Sequence, residues 1–176
     1  MKNKALLEVL AAAAVFVLVL AVAVINLRNR EPENAEEKFV RLCAPVWDAA
    51  FEELASSGGV AKRGDPMPAA LLKVFEKDRQ LEEISMTDED TVRFWFTLSS
   101  GGEFEDYIVY QRNDDPRQIG AVNQILAWRD SYNEPVEIEE TDGSFKVTGF
   151  GVGKAGYINI TRISTCWFAV KGYYPT

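Results

Sequence analysis

From Ala5 to Leu27 the chain reads ALLEVLAAAAVFVLVLAVAVINL, an apolar run interrupted only by Glu8 and Asn26. At about 1.5 Å per residue, such a helix crosses the roughly 30 Å of a bilayer core. Glu8 lies near one end, where its carboxylate reaches the headgroups and avoids most of the cost of a midplane charge. The run takes residues 1–30 out of any soluble fold as a cationic tail and transmembrane anchor. It leaves 31–176, about 145 residues, for a single domain with one good core.

A secretory signal peptide is the competing reading. Lys2 and Lys4 would form its n-region, and Ala21-Val22-Ala23 fits the small-x-small cleavage rule. The apolar stretch continues through Val24, Ile25 and Leu27, long for a cleaved h-region, which favours an uncleaved signal anchor. No lipobox is present, because Cys43 follows FVRL far beyond the run. Lys2, Lys4 and the α-amino group favour an internal N-terminus. Arg28, Arg30, Lys38 and Arg41 weigh on the other side, but a short cationic tail is the easier end to retain. The domain is therefore expected outside the cytoplasm, on a single-pass protein of the cell membrane whose lipid partner is met through residues 5–27.

Without Lys2, Lys4 and Glu8, the chain has 17 basic and 26 acidic residues, a net −9 against −8 for the whole. That charge repels nucleic acid and anionic lipid. Histidine is absent altogether, which excludes Ser-His-Asp and Cys-His catalysis and His-ligated zinc. Two cysteines are too few for a structural zinc site, and no metal or cofactor is expected.

In REPENAEEKFVRLCAPVWDAAFEELASSGG the apolar residues recur at 39, 42, 43, 46, 47, 50, 51 and 54, the stripe of a core-facing helix ended by Gly58-Gly59. Pro45 falls inside it and is expected to kink or split the helix. GGVAKRG reads as a loop, and Asp65-Pro66 as the start of a shorter helix through about Arg79, with Leu71, Val74 and Phe75 on one side. After residue 80 the period falls to two. TVRFWFTL directs Val92, Phe94, Phe96 and Leu98 one way, and FEDYIVYQR returns as its partner strand. A third helix is expected in RQIGAVNQILAWRD. VEIEE, the turn TDGS and FKVTGF form a hairpin, and YINITRI and CWFAVKGYY are two further strands. The fold class is α+β: after the transmembrane helix, one or two helices pack on a meandering antiparallel sheet.

Gly151-x-Gly153-x-x-Gly156, with Ala169-Val170-Lys171 downstream, imitates a nucleotide-binding loop. A dinucleotide fold needs a helix after the third glycine, and YINITRI reads as a strand. A P-loop fails at Thr148 and Ala155, and a kinase fails because five residues after Lys171 cannot supply its catalytic and metal-binding acids. No nucleotide is expected, and the glycines are read as turn residues. TDEDT at 87–91 and NDDP at 113–116 lack the spacing of a calcium loop and read as turns.

Cys43 and Cys166 fall on the first helix and on the last strand. Outside the cytoplasm a disulfide between them would tie helix to sheet and, by chain entropy, add on the order of 4 kcal/mol. The alternative is two thiols behaving as small hydrophobes. Among the aromatic residues, Trp95 and Tyr107 are the candidates for an outward row that stacks a sugar or peptide, against the alternative of core packing.

Two resemblances add to this. LLEVLAAAAVFVLVLAVAV resembles the N-terminal helix of type IV pilin-like proteins, in which a glutamate, Glu8 by motif, neutralises a neighbouring subunit's N-terminus; the peptidase-site positions hold Asn3 and Lys4 in place of glycine and phenylalanine. FEDYIVYQRNDDP followed by GYINITRISTCWFAVKGYY resembles a group of small, uncharacterised, membrane-anchored proteins of Gram-positive bacteria, a likeness over much of 90–176 that implies no activity. The expected function is binding of a protein or envelope partner without catalysis. A pilin-like subunit and a carboxylate-based enzyme are the alternatives.

Overall fold

A computed structural model describes residues 34–101, 104–120, 122–123, 126, 136–141 and 144–175. The expected span at 5–27 lies outside them, and no helix among the described residues is long and apolar enough to cross a membrane. Ala35–Thr176 is a compact unit in itself. Helix α1 (Ala35–Ser56) leads through β1 (Val60–Lys62) to helix α2 (Ala69–Phe75). Seven strands follow: β2 (Leu81–Met86), β3 (Thr91–Gly101), β4 (Phe104–Gln111), β5 (Glu137–Thr141), β6 (Ser144–Phe150), β7 (Gly156–Ser164) and β8 (Trp167–Tyr173). All eight strands form one antiparallel sheet in the order β1-β2-β3-β4-β8-β7-β6-β5. The α+β architecture, with two helices on an antiparallel sheet, is the one expected.

The sheet is two meanders, β1–β4 and β5–β8, joined where β4 pairs with β8. The runs YIVY and WFAV mark that seam. Continuous apolar runs suit strands covered on both faces. Ile108 and Trp167 join the core beneath α1 and α2, together with Ile84, Val92 and Phe94. Val109, Phe168 and Val170 join a second core on the opposite face with Phe145, Val147, Ile158 and Ile160. Ile119 and Val122, from the β4–β5 connection, close that second core. The helical turn expected there opens with Asn123 N–H donating to the Ile119 carbonyl at 3.2 Å, and most of the remaining expected helix lies outside the described residues.

α1 buries Phe39, Val40, Cys43, Trp47, Ala50, Phe51 and Leu54, the stripe its spacing predicts. It does not split at Pro45. Pro45 sits on the exposed side, where water can take up the carbonyl that the missing N–H leaves. Gly58 and Gly59 end the helix with φ of 97° and 79°, and Gly59 N–H donates to the Leu54 carbonyl at 2.9 Å.

Two further local expectations are corrected. α2 begins after Pro68, not at Asp65-Pro66, because a residue preceding proline is driven out of the helical region and Met67 therefore interrupts any earlier start. Pro68 offers no side-chain cap. Glu53 of α1 substitutes, its Oε2 accepting from Ala70 N–H at 2.8 Å and Leu71 N–H at 3.3 Å. GGVAKRG contains the edge strand β1, paired through Ala61 with Ile84. Arg63, just beyond it, donates to the carbonyls of Phe75, Asp78 and Leu81 at 2.9, 2.6 and 2.7 Å and so fastens α2 to β2.

Trp47 projects from α1 onto the seam. Its ring lies 4.8 Å from Phe94, 5.5 Å from Tyr110 and 5.7 Å from Trp167, on three neighbouring strands. Trp47→Ala should lower the stability of the full chain in detergent by about 3–5 kcal/mol. Trp47→Phe should cost less, because it keeps one aromatic ring over the seam and removes a buried indole N–H that has no partner among the described residues. Denaturant titration reads both, and equal costs for the two variants would contradict this packing.

Candidate functional site

Strand alternation places Phe104 and Asp106 on one face of β4, with Tyr173 and Lys171 opposite them on β8. The next pairing sets Tyr157 beside Tyr173 and Asn159 beside Lys171 on β7. Two parallel rows cross three strands in consequence, one aromatic and one polar. In the aromatic row Phe104 stacks on Tyr173 with centroids 4.7 Å apart, and Tyr157 follows at 6.3 Å. Phe104 is 58% exposed and Tyr157 37%, high values for large rings on a sheet.

The polar row meets the first turn of α1. Lys171 Nζ lies 3.0 Å from Glu36 Oε1 and 4.0 Å from Asp106 Oδ2. Burial alone would raise the Glu36 carboxyl, but a backbone hydrogen bond and the Lys171 ammonium outweigh it and hold the group below its ordinary range. Asp106 is pushed up by partial burial, with Lys171 opposing and the Glu36 charge reinforcing the rise. The hydrogen bond to Glu36 raises Lys171 and keeps it an ammonium. Beside this row a half-open cleft of about 160 Å³ is lined by Glu36, Phe39, Asp78, Gln80, Phe96 and Asp106, among others. It offers an aromatic wall and a carboxylate rim.

Trp95 and Tyr107 do meet, at 4.8 Å between centroids, but Tyr107 is only 1% exposed. Their shared face is the opposite one, where Tyr107 belongs to the second core and Trp95, half-buried, packs against it, so the two do not form an outward row. Arg93 sits over the Tyr107 ring at 5.2 Å. Burial, foremost, raises the phenols of Tyr107 and Tyr174, and Glu105 reinforces both shifts. Glu105 acts without a hydrogen bond of ordinary geometry to the Tyr107 hydroxyl, which stays buried without a partner, as do Glu105 Oε2 and Arg93 Nε among the described residues.

The glycine loop has structural occupants. Gly151 takes φ 73°, and a Cβ on it would lie 2.9 Å from the Pro175 ring; a Cβ on Gly156 would lie 2.5 Å from the Phe150 carbonyl oxygen. Lys171, the lysine of the kinase-like pattern, holds Glu36 and Asp106. Both acidic clusters form turns. Asp88 Oδ1 accepts Asp90 N–H at 2.9 Å, and Asp115 Oδ1 accepts Arg117 N–H at 3.0 Å. Asp114 pairs with Arg162 and accepts Cys166 N–H at 2.6 Å, binding the turn after β4 to the β7–β8 turn. Among the described residues no group of three or more acidic or cysteine side chains could hold a metal ion.

Cys43 and Cys166 are both free thiols, with no bond between them. Cys43 is enclosed beneath α1, where burial pushes its pKa up to about 12. Cys166 is half-exposed at the β7–β8 turn, with φ 65° and Sγ 3.5 Å from the Arg112 carbonyl oxygen. Burial, and then the Asp114 charge, raise its pKa as well.

Sequence reasoning missed Phe104, Tyr157 and Tyr173 as a row, and Glu36, Asp106 and Lys171 as a cluster. The signal within each strand was the two-residue spacing of 104 and 106, 157 and 159, and 171 and 173. Comparison with known proteins finds no matching family model, no matching curated protein and no matching solved structure.

A maleimide at about pH 8 should label native full-length protein at Cys166 alone, and at both cysteines after denaturation without reductant. Rapid double labelling in the native state would contradict the burial of Cys43. Absence of labelling after denaturation would reveal the disulfide.

Proposed function

We propose that this chain is a single-pass membrane protein whose domain lies outside the cytoplasm and binds an envelope partner without catalysis. The observation that carries the binding reading is the aromatic row Phe104–Tyr173–Tyr157, exposed at Phe104 and Tyr157 and half-buried at Tyr173, standing in register beside the polar row Asp106–Lys171–Asn159. Exposed aromatic rings next to directional polar groups are what a sheet offers to a ligand. The membrane reading is supported by the apolar run 5–27, which ends eight residues before α1 begins.

Glu36 and Asp106, shifted in opposite directions, are the one feature that favours the enzyme alternative. Both carboxylates share a single ammonium, and the Asp106 side chain is 57% exposed. Proton transfer by paired acids gains most where water is excluded. The arrangement serves better as a charged binding edge than as an acid–base pair.

Intact cells expressing the chain with a photocrosslinking residue at position 104, and separately at Lys73 on the exposed side of α2, test this reading. Protease added outside should degrade the domain, and position 104 should yield discrete adducts that Lys73 does not. Full protection from protease would refute the location. Equal or absent adducts at the two positions would refute the binding face.

A further inference from the structure

Resting on the reading of this face as a binding surface, we propose that its ligand is a neutral, linear glycan laid across β4, β8 and β7. A pyranose ring has an apolar C–H face and a rim of hydroxyls, each able to donate and accept. Phe104 and Tyr173 turn one ring face each to the other, and apolar ring surface for the first is offered at the two ends of the row, by Phe104, 58% exposed, and Tyr157, 37% exposed. One residue pair further along the strands, the polar row supplies partners for the second. Asp106 accepts, Lys171 donates, and the Asn159 amide does both. The three rings span two inter-strand steps, about 10 Å, a length suited to a chain of linked rings rather than to a single sugar.

Charge separates the candidate ligands. With a net −9 over the soluble part and Glu36 and Asp106 at this edge, an anionic polymer is repelled. Lys171 offers no uncompensated charge to a phosphate, since it already holds two carboxylates. The same pairing blocks a cationic peptide, which would have to displace the ammonium. A neutral polyhydroxyl ligand meets every group in the state the structure gives it.

Full-length protein in detergent should be titrated with chitohexaose and cellohexaose, two neutral linear probes, by calorimetry. At least one should bind, with an affinity little changed between low and high salt. Phe104→Ala combined with Tyr157→Ala should weaken it by about tenfold or more, and Phe104→Tyr should leave it largely intact. Both replaced side chains are exposed, so thermal unfolding should stay close to that of the parent. Failure of both sugars to bind, or binding indifferent to the double variant, overturns the glycan assignment. Oligolysine and vesicles of anionic lipid run alongside. If either binds and loses affinity in the double variant while the sugars do not bind, the face stands and the ligand class is wrong. If no probe responds to the double variant, the binding face falls with it.

Discussion

The pairing of β4 with β8 holds the domain together, and Trp47 is the side chain laid over it. Tyr110 and Trp167 are direct cross-strand partners at the seam, and the Trp47 ring packs edge-on against both. The seam joins strands more than fifty residues apart in sequence, so its formation opposes a substantial loop-closure entropy. What offsets that entropy is burial on both faces at once. Ile108 and Trp167 go under the helices while Val109, Phe168 and Val170 go into the second core. The buried indole N–H of Trp47 has no partner among the described residues, a cost tolerated for the contacts its ring makes with three strands.

The proposed binding face is a consequence of that seam. Phe104 with Tyr173 and Asp106 with Lys171 are pairs of the same β4–β8 ladder, a few residues from Tyr110 with Trp167. A slip of one residue would turn the aromatic row into the second core and bring Glu105 out. Glu36 reinforces the register from outside the sheet, because α1 reaches Lys171 with its first turn and, through Trp47, Trp167 with its fourth. One helix therefore fixes both the packing of the sheet and the charge state of the site.

Local pattern carried much of the fold into the sequence. The three-and-four spacing of α1 is visible because one face of the helix is buried from Phe39 to Leu54, more than four turns. YIVY and WFAV announce strands covered on both sides, and TDGS lies in the β5–β6 hairpin, where Thr141 pairs with Ser144. The misread places are those where a distant residue decides. Pro45 is harmless only because its side of α1 faces water, and the start of α2 depends on a carboxylate seventeen residues upstream. β1 is too short to show a period and exists by pairing with β2. The candidate site was hardest to read. Trp95 and Tyr107 sit side by side in the most conspicuous aromatic stretch of the chain, but which face of a strand is covered depends on what packs there, and no spacing within one strand reveals it.

Native-state hydrogen exchange of the full chain in detergent tests most directly whether the seam makes one sheet of two meanders. The amides of Tyr107–Tyr110 and of Phe168–Val170 should be the most protected, and β2–β3 and β6–β7 should share a single global opening that accelerates together when Trp47 is truncated. A β6–β7 hairpin that opens on its own and ignores that truncation would contradict the account.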